Sequence, residues 1–162
     1  MNYYEYIGPP GSGKSTKMAL EYAKHKNIIN PKGLFNIFKV SNYLFLIIKI
    51  YKLNSVKRLI HSIKHFYFII NINSDLILDQ GLVQIYLSHC SERGKLPNKR
   101  VLKEFLELLH YKFKNVNFIF IGEDISLCEI NSRLKQRNKN RKNGVNAFFF
   151  ENFKINTKAF KE

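Results

Sequence analysis

The sequence is poor in cysteine and has no long apolar run. Cys90 and Cys128 are its only cysteines and lie far apart, so a disulfide framework and paired metal-ligand spacing are both absent. The most apolar run, residues 43–50, contains Lys49 and is far shorter than the roughly 20 residues of a membrane span. Residues 1–6 are polar and lack the apolar segment of a signal peptide. We therefore expect a reduced, cytoplasmic protein with no membrane partner.

Acidic residues are also scarce, with 12 Asp and Glu against 27 Lys and Arg, and the formal net charge is +15. Lysines outnumber arginines by 21 to 6, and the chain is crowded with Asn, Ile and Phe. All four abundant residue types have A/T-rich codons, so part of the charge reflects genome composition. A basic surface still favours anionic ligands. It does not distinguish a nucleotide from a nucleic acid.

Strand and helix patterns alternate along the 162 residues. Short apolar or aromatic segments predict strands at 3–7, 76–78 and 116–121. Helical spacing predicts helices at 14–26, two within 34–70, and others at about 82–89, 101–109, from Ser126 into the basic stretch 133–142, and after 148. This alternation predicts one α/β domain, spanning 1–162, with a parallel sheet covered by helices on both faces.

Residues 8–15 match the P-loop pattern G-x-x-x-x-G-K-[ST] in full. Glycines let successive backbone N–H groups turn inward on phosphate oxygens, and the following helix presents its free N–H groups and dipole to the same anion. Lys14 would neutralise the β and γ phosphates of ATP, and the Ser15 hydroxyl would bind Mg²⁺. The predicted nucleotide-binding residues are Gly8, Pro9, Pro10, Gly11, Ser12, Gly13, Lys14, Ser15 and Thr16.

Asp79 directly follows the second predicted strand. An acid at the carboxyl end of a parallel strand next to the P-loop reaches the same crevice, so Asp79 is the predicted catalytic and metal-binding carboxylate. The alternative is a turn or helix cap, because Asp is common where a strand ends. Asp75, at the start of this strand, should lie at the opposite edge of the sheet and is a poorer candidate.

Half of the arginines, Arg133, Arg137 and Arg141, are spaced by four. A continuing helix would place them on one face. Arginine presents a planar fork to phosphate oxygens and can stabilise charge on a transferring phosphoryl group, so these three are predicted catalytic residues. The alternative is a solvated helix end or a nucleic-acid-binding tail.

The order of these features resembles the nucleoside and nucleoside monophosphate kinases, thymidylate kinase among them. The resemblance implies a P-loop NTPase fold of three layers, α/β/α, with a short parallel sheet, acceptor-side helices at about 34–70 and an arginine-rich lid at about 133–145. The sequence departs from the family at Gln80, where an arginine usually follows the acid. It also lacks the family's last strand after the lid.

These features predict a Mg²⁺-dependent kinase that transfers the γ-phosphoryl group of ATP to a small acceptor such as a nucleotide or nucleoside. A nucleotide-binding regulatory ATPase would share the P-loop and Asp79 and need no acceptor pocket. A third, less favoured hypothesis is a nucleic-acid-binding module. Such a module would have a basic stripe with interleaved aromatic residues. Neither the acceptor nor the oligomeric state follows from the sequence.

Overall fold

The computed structural model describes residues 1–22, 63, 66, 67, 69–137 and 144–162. Within them, three strands form one parallel sheet: β1 (Asn2–Ile7), β2 (Leu76–Leu78) and β3 (Asn115–Phe120). The strand order is β2-β1-β3. β1 is therefore central, and the chain moves to one side of it for β2 and to the other for β3. Such a reversal creates a crevice at the carboxyl ends of the strands.

The register brings those carboxyl ends together. Glu5 in β1 pairs with Leu78, the last residue of β2, and Ile7 pairs with Phe120, the last residue of β3. The predicted P-loop leaves the central strand, and Asp79 leaves the strand beside it. The predicted bounds of β2 are confirmed, β1 begins one residue earlier than predicted, and β3 begins and ends one residue earlier.

Helices cover both faces of the sheet. They are α1 (Lys14–Tyr22), α2 (Leu82–Glu92), α3 (Lys99–Lys112), α4 (Leu127–Arg137) and α5 (Ala147–Lys161). On one face, Met18 of α1 packs against Tyr6 and Ile77. On the other face, Ile7 packs with α2 and α5, through residues that include Leu87 and Phe153. The predicted three-layer α/β/α arrangement is confirmed.

Local sequence explains where the helices begin. The Asn98 side chain accepts hydrogen bonds from two N–H groups in the first turn of α3, and Asn146 does the same for one N–H group of α5. Ser126 Oγ accepts from the Glu129 N–H at 3.2 Å, as in a capping box. The Glu129 carboxylate completes no box, because it pairs with Arg133 instead.

Several sequence predictions fall on other parts of the chain. The extension of the first helix to residue 26, most of the two helices within 34–70, and residues 138–143 lie outside the described residues. Residues 63, 66, 67 and 69–71 are helical, as predicted for the end of 34–70. No helix among the described residues is long and apolar enough to cross a membrane.

Candidate functional site

The P-loop turns between β1 and α1 on two glycines with positive φ. Gly11 has φ 84° and Gly13 has φ 95°, a region that other residues adopt only under strain. Gly11 also packs against α4, since a Cβ there would lie 3.1 Å from Leu134 and 3.2 Å from Ile130. A Cβ on Gly13 would meet nothing within 4 Å, so the loop is supported on one side and open on the other.

Lys14 folds back over the loop. Its Nζ donates to the carbonyl oxygens of Gly8 at 2.5 Å and Pro9 at 3.0 Å. Burial lowers the pKa of Lys14 to about 8, and the nearby charge of Asp79 only partly offsets that effect. The ammonium group therefore lies at the opening of the loop, where burial destabilises its charge and a bound anion would stabilise it.

Ser15 and Asp79 meet at the same mouth. Ser15 Oγ donates to Asp79 Oδ2 at 3.0 Å, although the two residues are 64 positions apart in the chain. The contact exists because parallel β1 and β2 end side by side. The hydroxyl, the carboxylate and the Lys14 ammonium therefore converge at the start of α1, whose first-turn N–H groups have no intrahelical acceptors.

Asp75 occupies the other end of β2, as the sequence predicts. Its carboxylate accepts hydrogen bonds from the Asn2 backbone N–H at 2.7 Å and the Asn2 side chain at 2.9 Å. These bonds join the amino ends of two strands. Asp75 thus has a structural role, far from the P-loop.

The three predicted arginines differ in their position relative to α4. Arg133 lies on the exposed side of α4 and pairs with Glu129 at 2.5 Å. Arg137 is the last residue of α4. Arg141 lies outside the described residues.

Sequence reasoning missed Glu5, a carboxylate within β1 that has no exposed surface. It accepts hydrogen bonds from the Gln84 N–H at 2.6 Å, the Val83 N–H at 3.4 Å and the Tyr3 hydroxyl at 2.6 Å. Burial raises the pKa of Glu5 to about 7, against the opposing effect of these bonds. Strand alternation could have indicated it, because Glu5 shares the face of Tyr3 and Ile7.

A cavity of ≈ 240 Å³ also went unpredicted. It borders the first P-loop residues, Gly8 and Pro9, and opens between the carboxyl ends of β1 and β3 and helix α5. Its lining combines apolar side chains, three lysines of α5 and Glu123, and includes Ile7, Ile121, Phe153, Lys154, Lys158 and Lys161. It is formed by the end of β1, the segment after β3 and α5, which lie far apart in the sequence, so no local pattern reveals it.

No family model matches the chain, and no curated protein matches it. Among solved structures, the chain is similar to deoxyadenosine kinase from M. mycoides with bound dATP. That similarity covers 98% of this chain and 83% of that chain, with 16% sequence identity and a TM-score of 0.46.

Proposed function

We propose that this protein binds the triphosphate of ATP with Mg²⁺ and transfers the γ-phosphoryl group to a small acceptor, such as a nucleoside or nucleotide. The observation that carries the proposal is the meeting of Ser15 and Asp79 at 3.0 Å beneath a complete P-loop. Their separation in sequence makes this contact independent of the motif itself. It is the placement that phosphoryl transfer with a metal requires.

The residues present fit Mg²⁺. A hydroxyl and a carboxylate are hard oxygen donors, and Mg²⁺ is commonly held by one or two carboxylates together with phosphate oxygens and water. The described residues contain no cluster of three metal-binding side chains, and such a site needs none. When bound, the ion would neutralise charge on the β and γ phosphates.

The protein's own groups would do the remaining work. Lys14 would leave the Gly8 and Pro9 carbonyls and donate to phosphate oxygens. The backbone N–H groups at the start of α1 would hold the same oxygens, supported by the helix dipole. Asp79 would orient the acceptor or the ion, and Arg137 would add positive charge from the side of α4. Transfer then depends on positioning and charge stabilisation.

The cavity beside Gly8 and Pro9 adjoins the phosphate site. A regulatory ATPase has no need of a second binding site, whereas a kinase must seat an acceptor close to the phosphates. This cavity is lined by apolar side chains together with a few charged and polar ones, as small-molecule sites commonly are. We therefore propose it as a seat for the acceptor or for the organic part of the nucleotide.

Two phenylalanines of α5 cannot contribute to a nucleic-acid stripe. Phe150 and Phe153 are 2% and 1% exposed and belong to the core, whereas Phe148 is 57% exposed. Lys154 lies over the Phe150 ring at 4.8 Å. Buried rings cannot stack on nucleic-acid bases, which is how such proteins bind single strands.

The test incubates the protein with Mg²⁺ and γ-labelled ATP across a panel of nucleosides and nucleotides, measuring labelled acceptor and free phosphate together. Transfer that is lost in Lys14→Ala and on chelation of Mg²⁺ supports the kinase. Free phosphate without transfer would favour the ATPase. Neither product, with no ATP binding by calorimetry, would overturn both.

A further inference from the structure

A buried chain of hydrogen bonds joins the two segments that flank the phosphate site. It begins at the Glu5 carboxylate, which accepts from the Gln84 backbone N–H at 2.6 Å. It continues through the Gln84 side chain, whose Oε1 accepts from the Gly8 N–H at 2.8 Å. Glu5 and Gln84 have 0% and 5% exposed surface. The Asp79 side of the site and the first residue of the P-loop are thereby connected through two side chains.

The Glu5 end of this chain fixes the segment that follows β2. Glu5 receives the N–H groups of Val83 and Gln84 in the first turn of α2, where such groups have no intrahelical acceptor. Gly81 lies so close to Glu5 that any Cβ there would overlap the carboxylate, and it would come within 2.6 Å of the Tyr3 hydroxyl. Asp79 is two residues before this anchored glycine.

The Gln84 end fixes the P-loop. The Gln84 Nε2 donates to Ser88 Oγ at 3.0 Å, so both ends of the amide are used and its oxygen is directed at Gly8. The Gly8 N–H is therefore occupied within the protein. A Cβ on Gly8 would overlap the Ile121 carbonyl oxygen, which leaves the segment little room to shift.

We infer that Glu5 and Gln84 are positioning residues, which hold the start of the P-loop and the Asp79 segment at a fixed separation so that Ser15 and Asp79 meet. The inference rests on the proposed nucleotide chemistry. Neither residue touches the phosphates; each acts through the backbone it holds. Preorganisation of this kind lowers the cost of binding, because the loop need not be ordered when the nucleotide arrives.

The test compares Gln84→Met, which keeps the side-chain length but removes the acceptor for Gly8, with Ser88→Ala. The second variant removes the other partner of Gln84 and leaves the Gly8 bond in place, so it is the matched control. Binding of Mg-ATP is measured by calorimetry at 15 °C, and exchange of the Gly8 amide proton is followed by NMR. We expect Gln84→Met to weaken Mg-ATP binding about tenfold, within the range for a buried donor left unsatisfied. Gly8 exchange should accelerate in that variant alone.

A role in stability alone would lower the melting temperature of Gln84→Met and leave the Mg-ATP Kd of the folded protein unchanged. That result would overturn the inference while leaving the proposed function intact. If Gln84→Met does not fold, Gln84→Asn moves the acceptor away from Gly8 with a milder change, and the same loss is expected. Failure of the wild-type protein to bind ATP would instead overturn the proposed function, and the positioning role with it.

Discussion

The pKa of Glu5 makes the stability of this protein depend on pH in a direction that can be worked out. Burial raises that pKa from the ordinary value of 4.5 to about 7. At about 1.4 kcal/mol per pH unit, the shift corresponds to about 3 kcal/mol. Between pH 4.5 and 7 the unfolded chain loses this proton before the folded chain does. The contribution of neutral Glu5 is therefore complete below pH 4.5, falls as the pH rises and is lost above 7.

The Glu5→Gln variant isolates this effect, because its side chain stays neutral and has nearly the same shape. Urea unfolding of both proteins is measured from pH 5 to pH 8, and the free energy of unfolding of the variant is subtracted from that of the wild type. Other titrating groups cancel in the difference. We expect the difference to fall by about 2–3 kcal/mol across the range. Tyr3→Phe removes a hydrogen bond that lowers the pKa of Glu5, so it should extend the fall to higher pH. A difference that stays constant with pH would show that the three donors keep Glu5 ionised throughout, and would refute the reasoning.

Three further predictions concern the mouth of the P-loop. Lys14→Ala should abolish Mg-ATP binding in calorimetric titrations while circular dichroism shows an intact fold; unchanged affinity would remove the P-loop assignment. The pKa of Lys14 is about 8, and phosphate favours its charged form. ATP affinity should therefore decline above pH 8, by at most about tenfold per pH unit, and ATP binding in that range should be accompanied by proton uptake. Calorimetry in buffers of different ionisation enthalpy detects that uptake, and its absence at pH 8.5 would contradict the assigned direction. Asp79→Asn should keep ATP affinity within about tenfold and slow turnover by roughly 10² or more in single-turnover assays; normal turnover would leave Asp79 as a cap.

The sequence could predict those parts of the site whose residues are contiguous or directly follow a predicted strand. The P-loop is contiguous, and Asp79 follows a three-residue apolar strand whose neighbour could be inferred from the alternation of strands and helices. The contact between Ser15 and Asp79 follows from those two facts. Strand ends were harder to place: β3 pairs with β1 through residue 120 and then leaves the sheet, although Ile121 is as apolar as the residues before it.

The parts that sequence could not predict depend on packing between distant segments. In the sequence, Glu5 is one charged residue in an aromatic strand. It is buried only because α2 packs against it, and its carboxylate then accepts hydrogen bonds from the first turn of that helix. Gln84 appears as one polar residue in an apolar helix. The cavity depends on α5 packing beside the carboxyl ends of β1 and β3. No spacing rule connects residue 5 to residue 84 or residue 9 to residue 158.

The arginines of α4 provide a prediction with a control built into the same helix. Arg133 forms an exposed pair with Glu129, whereas Arg137 is the last residue of α4. Exposed pairs of this spacing contribute only about 0.3–0.5 kcal/mol. If Arg137 acts on charge that develops during transfer, Arg137→Ala should lower turnover more than ATP affinity.

Arg133→Ala removes the same charge from the same helix, so it should leave turnover within about twofold if position decides the effect. A basic tail for nucleic acid behaves differently, because it attracts phosphates through summed charge. In that case both variants would weaken oligonucleotide binding alike, would reduce its salt dependence and would leave turnover unchanged. Measuring kcat, ATP Kd and oligonucleotide affinity for the two variants separates these outcomes. Equal loss of turnover in both would contradict the assignment to Arg137, since net charge and not the position of the arginine in α4 would then be the cause.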